Sequence, residues 1–275
     1  MTSIQKLAQK NIKLYPLQKV FNKRVFLPII PIYFTEYVGF SIGELGLLAS
    51  LYALVSIVMN APSSYVADRF GKVKALRMGA VMLVLSTVLY AGLPTQLGVV
   101  FGTMLEAIGF SFMSGAGEAM VHDSLEVLNR LKDYSKVLSR AQSLALILNA
   151  ILVALVPLTY VIDPRMPFAL GTVAFMALVA ATFNMHDAGP RAQPMDISLR
   201  FRRVGAIEKI SKNASLLLAI MLFGIIGAIY FSFDIMSIAL KYYGVQPEHL
   251  GWVYATASIV GAGVGYIIHH LKKLS

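Results

Sequence analysis

The chain contains no cysteine. Disulfide frameworks, thiol catalysis and cysteine-ligated zinc are therefore excluded. It is also short of charge. Only 14% of its 275 residues are Asp, Glu, Lys or Arg, against about 25% in a soluble domain. With 57% hydrophobic residues, a soluble fold would lack the polar side chains to cover its surface, so lipid is the main solvent. Acids are the scarcer sign, 14 against 24 Lys and Arg, for a net charge of +10. A basic excess marks a nucleic-acid binder when it forms a soluble face. Here the cations lie in short connections between apolar runs, so no nucleic-acid partner is expected. No Gly-rich phosphate loop of the P-loop type occurs, which argues against ATP hydrolysis. No His or acid cluster has metal-ligand spacing. The chain reads as no enzyme, with no metal and no cofactor. The basic N-terminus, with Lys6, Lys10 and Lys13, is not followed by a cleavage site of the signal-peptide kind.

What is present is a series of apolar runs. A helix needs about 20 residues to cross the hydrocarbon. Eight runs qualify, at 20–38, 43–66, 75–93, 96–122, 137–161, 166–185, 213–240 and 248–269. Turn signals fall between them: Gly39 to Gly43, Pro94, Asp163-Pro164 and Gly244 to Pro247. With the N-terminus inside, every Lys and Arg except Arg165 and Lys241 falls on one side. By the positive-inside rule this predicts a multi-pass protein of the cell membrane with both termini cytoplasmic. The fold class is an all-α membrane protein.

One connection carries more than charge. The stretch "SSYVADRFGKVKALRMG", residues 63–79, separates two uncharged runs. A plain basic loop explains Arg69, Lys72, Lys74 and Arg77 but not Asp68 and Gly71 at their spacing. The pattern Asp68-Arg69-x-Gly71-Lys72 resembles the signature loop of the major facilitator superfamily. Ser64 stands where the family's first glycine is usual, and Val73 interrupts the basic run. Upstream, "NAPSS" (60–64) resembles the family's Glu-x-Pro-Ser-Gly, with Asn60 in place of the acid. "SGAGEAMVHDSL" (114–125) resembles the end of the fourth helix in drug-efflux-like members.

The resemblance implies two six-helix halves rocking about a midplane site, moving a small molecule against an ion gradient, with protons as the driving ion. It implies that Asp68 pairs with basic groups and faces a helix N-terminus of the other half. An internal repeat agrees: at an offset of 205, Tyr37 falls on Tyr242, Gly39 on Gly244, Leu45 on Leu250 and Gly46 on Gly251. The same offset puts Asp68 on Lys273 and Gly71 just past Ser275. The expected organisation is a complete six-helix half (1–185), a cytoplasmic linker (186–212) and two helices of a second half (213–275). The chain thus reads as truncated after the eighth helix, the alternative being that eight helices suffice. Within the linker, Ile197, Phe201, Val204 and Ile207 line one helical face among Arg200, Arg202, Arg203 and Lys209. That pattern suits a helix lying on anionic lipid.

Charges inside the spans are the candidate site residues, because burying them in lipid is costly. Glu106 lies within the fourth run and reads as a proton-coupling or cation-recognising group, or else as a structural partner for a neighbouring helix. Asp234 lies in the outer part of the seventh, as coupling group or interfacial acid. Glu36 lies near the outer end of the first. Lys23 and Arg24 sit where the first run enters the membrane. They snorkel to headgroups, or Arg24 pairs with Glu118 or Asp123 as a cytoplasmic gate. Gln142 and Asn149, seven apart, share a helix face and line the cavity or join helices. Tyr33, Phe34 and Tyr52 are candidate linings of an apolar pocket. Pro28 and Pro31 are expected to kink the first helix. The reading that results is proton-coupled efflux. The alternatives are an uptake permease for a sugar or metabolite, and a non-transporting remnant or scaffold.

Overall fold

The computed structural model describes residues 2–189 and 236–256, with Leu218 and Leu222. All regular structure among them is helical. The helices are α1 (Ser3–Phe21), α2 (Ile42–Phe70), α3 (Lys72–Gly92), α4 (Gln96–Met113), α5 (Ala116–Val127), α6 (Tyr134–Leu155) and α7 (Met166–Phe183). Residues 236–242 and 250–256 are also helical. Five stretches are long and apolar enough to cross a membrane: α2, α3, α4 continuing through α5, Leu131–Val161 containing α6, and α7. They match the second to sixth runs read from the sequence.

The helix limits follow local chemistry. Ser41 and Glu44 form a capping box at the start of α2. Gly115, at φ 71, bends the chain between α4 and α5. Pro157 lies where α6 tightens into a 3-10 segment over Val156–Val161. The N-terminus departs from expectation. Residues before position 20 read as a basic tail, yet α1 begins at Ser3 with a Thr2–Gln5 capping box. Ala8, Asn11, Tyr15 and Gln18 form its buried face against α5, α6 and α7. Lys6, Lys10 and Lys13 lie on its exposed side.

Polarity is arranged inside out. Asn11, Gln18, Ser86, Thr87, Glu106, Ser124 and Thr182 are buried. Leu47, Ile57, Leu97 and Ile162 are each 70–75% exposed. In water that exposure would be a liability; against lipid tails it costs nothing.

The cation-rich connections gather at one end, and side chains stitch them together. Gly71 alone separates α2 from α3, with φ 109. The Asp187 carboxylate occupies the space a β-carbon there would need, and its Oδ1 accepts from the Val73 amide at 3.0 Å. Asp187 thus serves the N-terminus of α3, whose first amides have no partner within the helix. Arg77 returns the favour across the same gap. It donates to the carbonyls of Thr182, Phe183 and Met185 at 3.3, 3.2 and 2.7 Å, closing the C-terminus of α7. Asn11 of α1 donates to the His186 carbonyl at 2.7 Å and to Ser124 Oγ at 3.0 Å, and accepts from the His186 amide at 3.0 Å. Gly71→Ala is expected to cost roughly 1–3 kcal/mol for its backbone alone. Asp187→Ala is expected to cost about 1 kcal/mol as a lost cap. The double variant should cost less than the sum. Thermal melting of the purified chain and the three variants checks this.

Candidate functional site

The first run is not a continuous helix. α1 stops at Phe21, and helical backbone resumes only at Leu27–Ile29 (3-10), Ile30–Ile32 (one α turn) and Tyr33–Tyr37 (one π turn). The sequence points to prolines as the cause, and their chemistry explains the place. Pro28 has no amide to offer the carbonyl of Arg24, four residues earlier, and its ring would collide with it. Arg24 O accepts instead from Leu27 N at 3.2 Å. Phe26 anchors the broken stretch. Its ring fills the space above Gly171 of α7 and packs on Phe168 at 5.0 Å. Irregular backbone at membrane depth survives only inside protein or beside a cavity, and interrupted helices are where transporters build sites.

Glu106 of α4 faces this break. It is 4% exposed and lies ten residues into the stretch Gln96–Val127, about 15 Å from that stretch's start. Its Oε1 accepts from Arg24 Nε at 2.9 Å. Its Oε2 accepts from the Tyr90 hydroxyl at 3.2 Å. Tyr90 OH also lies 3.3 Å from Thr103 Oγ1. The Arg24 guanidinium lies between two rings, 4.9 Å from the centre of Tyr52 and 5.0 Å from that of Phe110. Tyr33 OH ties the far side of the break to α3, donating to the Tyr90 carbonyl at 2.6 Å. Each carboxylate oxygen has a donor, and the cation has a carboxylate and two π faces. Protonating Glu106 would remove the charge that holds Arg24.

The expected pairing of Arg24 with Glu118 or Asp123 is corrected here. Arg24 meets Glu106 instead, ten residues into the stretch Gln96–Val127. Glu118 is met instead by Lys19 and Asp123 by Lys72. In the signature turn, Asp68 and Arg69 occupy the last turn of α2, and Arg69 donates to the Tyr65 hydroxyl. Gly71 makes the turn, and Lys72 opens α3 on Asp123. Gln142 is exposed on α6. Asn149 is partly buried, its Nδ2 lacking a hydrogen-bond partner among the described residues. Asp234 and the 197–209 pattern lie outside the described residues. Tyr90 and Thr103 were not read from the sequence, where they stand as ordinary polar residues in apolar runs. His122, Asp123 and Glu126 do bring ligand atoms within 4.8 Å of one another at the end of α5, contrary to the expectation that no such cluster exists. Asp123, however, already holds the Lys72 ammonium.

At the opposite end, residues near Glu36 meet the described segment 236–256. Glu36, on the π turn, forms an ion pair with Lys241. The two are 205 apart, the offset expected from the sequence for an internal repeat. The loops beside them match too: Gly39 has φ 89 and Gly244 φ 91. Backbone carbonyls of Val153 and Ala154 fill the space a side chain on Gly251 would take. Arg165 Nε donates to the Tyr37 hydroxyl at 2.7 Å.

The sequence matches the profile of the Major Facilitator Superfamily over residues 20–274. No curated protein matches the chain. Among solved structures it superimposes on a bacterial homologue of the human drug peptide transporters PepT1 and PepT2, with TM-score 0.56 and 17% identity, over 97% of this chain and 55% of that one. On a D-xylose-proton symporter the values are 0.61 and 14%, over 98% and 69%. On tetrameric PepTSo2 they are 0.56 and 16%, over 96% and 54%. The chain thus spans about half the length of the first and third of these proteins. With its turn at Gly71 and this match over nearly its whole length, the chain belongs to the major facilitator superfamily.

Proposed function

We propose that the chain works as a secondary active transporter by alternating access, exchanging protons for a small molecule in the direction of efflux. The observation that carries the reading is Glu106: a carboxylate enclosed in a span, holding one cation, beside a broken helix. Loading a proton there releases Arg24, and that change biases the halves toward the other-facing state. Gln142 and Asn149 of α6, with Asp234, are assigned to the path of the substrate or proton. The contacts of Arg24 with Glu106, Glu118 with Lys19 and Asp123 with Lys72 all lie within residues 1–185 and are assigned to holding that part together. The division into a six-helix half (1–185), a linker (186–212) and the start of a second half (213–275) is part of this reading. A D-xylose-proton symporter shares the fold, so the architecture is compatible with proton coupling.

The test is reconstitution into vesicles with an imposed pH gradient, following lumenal pH and the loss of a panel of labelled organic solutes. Substrate-linked proton movement is expected, and Glu106→Gln should lower the proton-driven component by about a hundredfold. Exchange without a gradient should persist. Accumulation in the reverse direction would make the chain an uptake permease. No flux of any solute would favour a scaffold or remnant.

The reading places the cation-rich end and both termini in the cytoplasm. The cysteine-free sequence makes this easy to check, since a lone Lys74→Cys, on an exposed residue, should react with an impermeant maleimide only from the cytoplasmic face.

Rocking also requires the Glu36–Lys241 end to open. The pair is exposed, so its charge is worth no more than about 1 kcal/mol, and Lys241→Gln should change rates less than about fivefold. A Glu36→Cys/Lys241→Cys cross-link should instead stop transport, and reductant should restore it.

A further inference from the structure

We propose that the exposed face of the turn between α2 and α3 binds an anionic phospholipid, its phosphate held by Arg69 and Lys74 and an acyl chain lying along α3. This goes beyond the transport reading and does not depend on it.

Four cations stand at this turn, and the fold divides them. Lys72 and Arg77 turn inward, Lys72 to Asp123 and Arg77 to the carbonyls that end α7. Arg69 and Lys74 are exposed, and both meet one ring. Lys74 Nζ lies 4.9 Å from the centre of Phe70 and Arg69 Cζ lies 5.6 Å from it. Arg69 also donates to the Tyr65 hydroxyl, which keeps its own proton to give. Phe70 itself is 43% exposed. A ring face orients a cation without neutralising it. Two like charges are thus held against one ring, and an anion placed between them relieves their repulsion.

The level and the neighbouring surface select the ligand. Phe70 ends one apolar span and Lys72 opens the next, so Arg69 and Lys74 stand at headgroup height. From Lys74 onward, Met78, Val81, Leu85 and Val88 follow at steps of 4, 3, 4 and 3, which is one face of α3. Met78, Leu85 and Val88 are 36–46% exposed. Lys74 to Leu85 is about 16 Å along the helix, close to the depth of one leaflet, about 15 Å. A free phosphate would use the cations and leave the stripe idle. A zwitterionic lipid would bring its own cation up to two others. A glycerophospholipid with one phosphodiester and an uncharged headgroup answers the charges and the stripe together. Anionic lipids also create the surface potential that attracts basic groups at the cytoplasmic leaflet.

The test is thermal melting of the purified full chain in detergent at fixed ionic strength, titrated with dioleoyl phosphatidylglycerol, dioleoyl phosphatidylcholine and soluble glycerol phosphate. Phosphatidylglycerol is expected to raise Tm saturably and the other two are not. Arg69→Gln/Lys74→Gln is expected to weaken its midpoint about thirtyfold. The same loss of charge in Lys132→Gln/Lys136→Gln, both exposed at the same end, is expected to move it less than about twofold. If the first double variant does not fold, Lys74→Gln alone carries the test, with a weakening of about fivefold. Dihexanoyl phosphatidylglycerol, too short to reach Leu85, is expected to bind more weakly than the dioleoyl lipid. Phosphatidylcholine or glycerol phosphate matching phosphatidylglycerol would overturn the proposal. So would an equal loss in the Lys132/Lys136 variant, which would mean a diffuse surface potential, or a dihexanoyl lipid that binds as well as the dioleoyl one. Melting needs no flux, so failure here leaves the transport reading standing, and lipid binding without any transport sinks that reading alone.

Discussion

A carboxylate and a guanidinium set face to face within a lipid-embedded bundle govern the rest of this structure. Either ion alone in that setting would cost roughly 3–5 kcal/mol, so neither Glu106 nor Arg24 is tolerable without the other. Their contact ties α4 to the first span at a fixed level, and the rings of Tyr52 and Phe110 close over it. To deliver Arg24 there, the chain gives up helical bonds for five residues. The freed backbone is sheltered by Phe26 against Gly171 and by Tyr33 against α3. The polar interior and apolar exterior follow from this choice.

The two ends of the bundle are built for different duties. At the cation-rich end the bonds run within one half: Asn11 to residue 186, Asp187 to α3, Arg77 to α7, Lys72 to Asp123. Several are buried and made to backbone, and they hold α1, α3, α5, α7 and the stretch after α7 as one body. At the other end the contacts join residues 36 and 153–154 to residues 241 and 251. One is an exposed ion pair, the other a close approach of backbone at Gly251. Contacts of the first kind resist separation, and those of the second can be made and broken at small cost. A rigid body meeting residues 241–251 through a breakable seam suits the rocking motion proposed above.

Much of this was legible in the sequence, and the remainder was hidden for physical reasons. The second to sixth spans are uncharged runs bounded by Gly, Pro and caps, and they fold where they read. The signature turn was legible because Asp68 and Gly71 are not needed by a plain basic loop. Glu106 stood out as a lone acid in an apolar run. Its partner did not, because the lysines of α1 masked a helix whose buried face includes Asn11 and Gln18. Without that helix, Arg24 seems to lie at the membrane surface. Pro28 was a usable signal, since it acts four residues upstream, at Arg24. Asp187 carried no local signal at all: its role depends on Gly71 and Val73, more than a hundred positions away.

The ion pair at the seam has a consequence for descent. In the repeat proposed from the offset of 205, residues that face their own equivalents sit on the axis relating the two units. In a protein made by doubling one six-helix unit, the same side chain would first have met itself there. Two glutamates would repel and two lysines would repel, so on the proposed repeat the contact between Glu36 and Lys241 belongs to a stage after the copies diverged. Opposite charge at this spot is thus a mark of lost symmetry, fixed at the point where an identical pair was least tolerable.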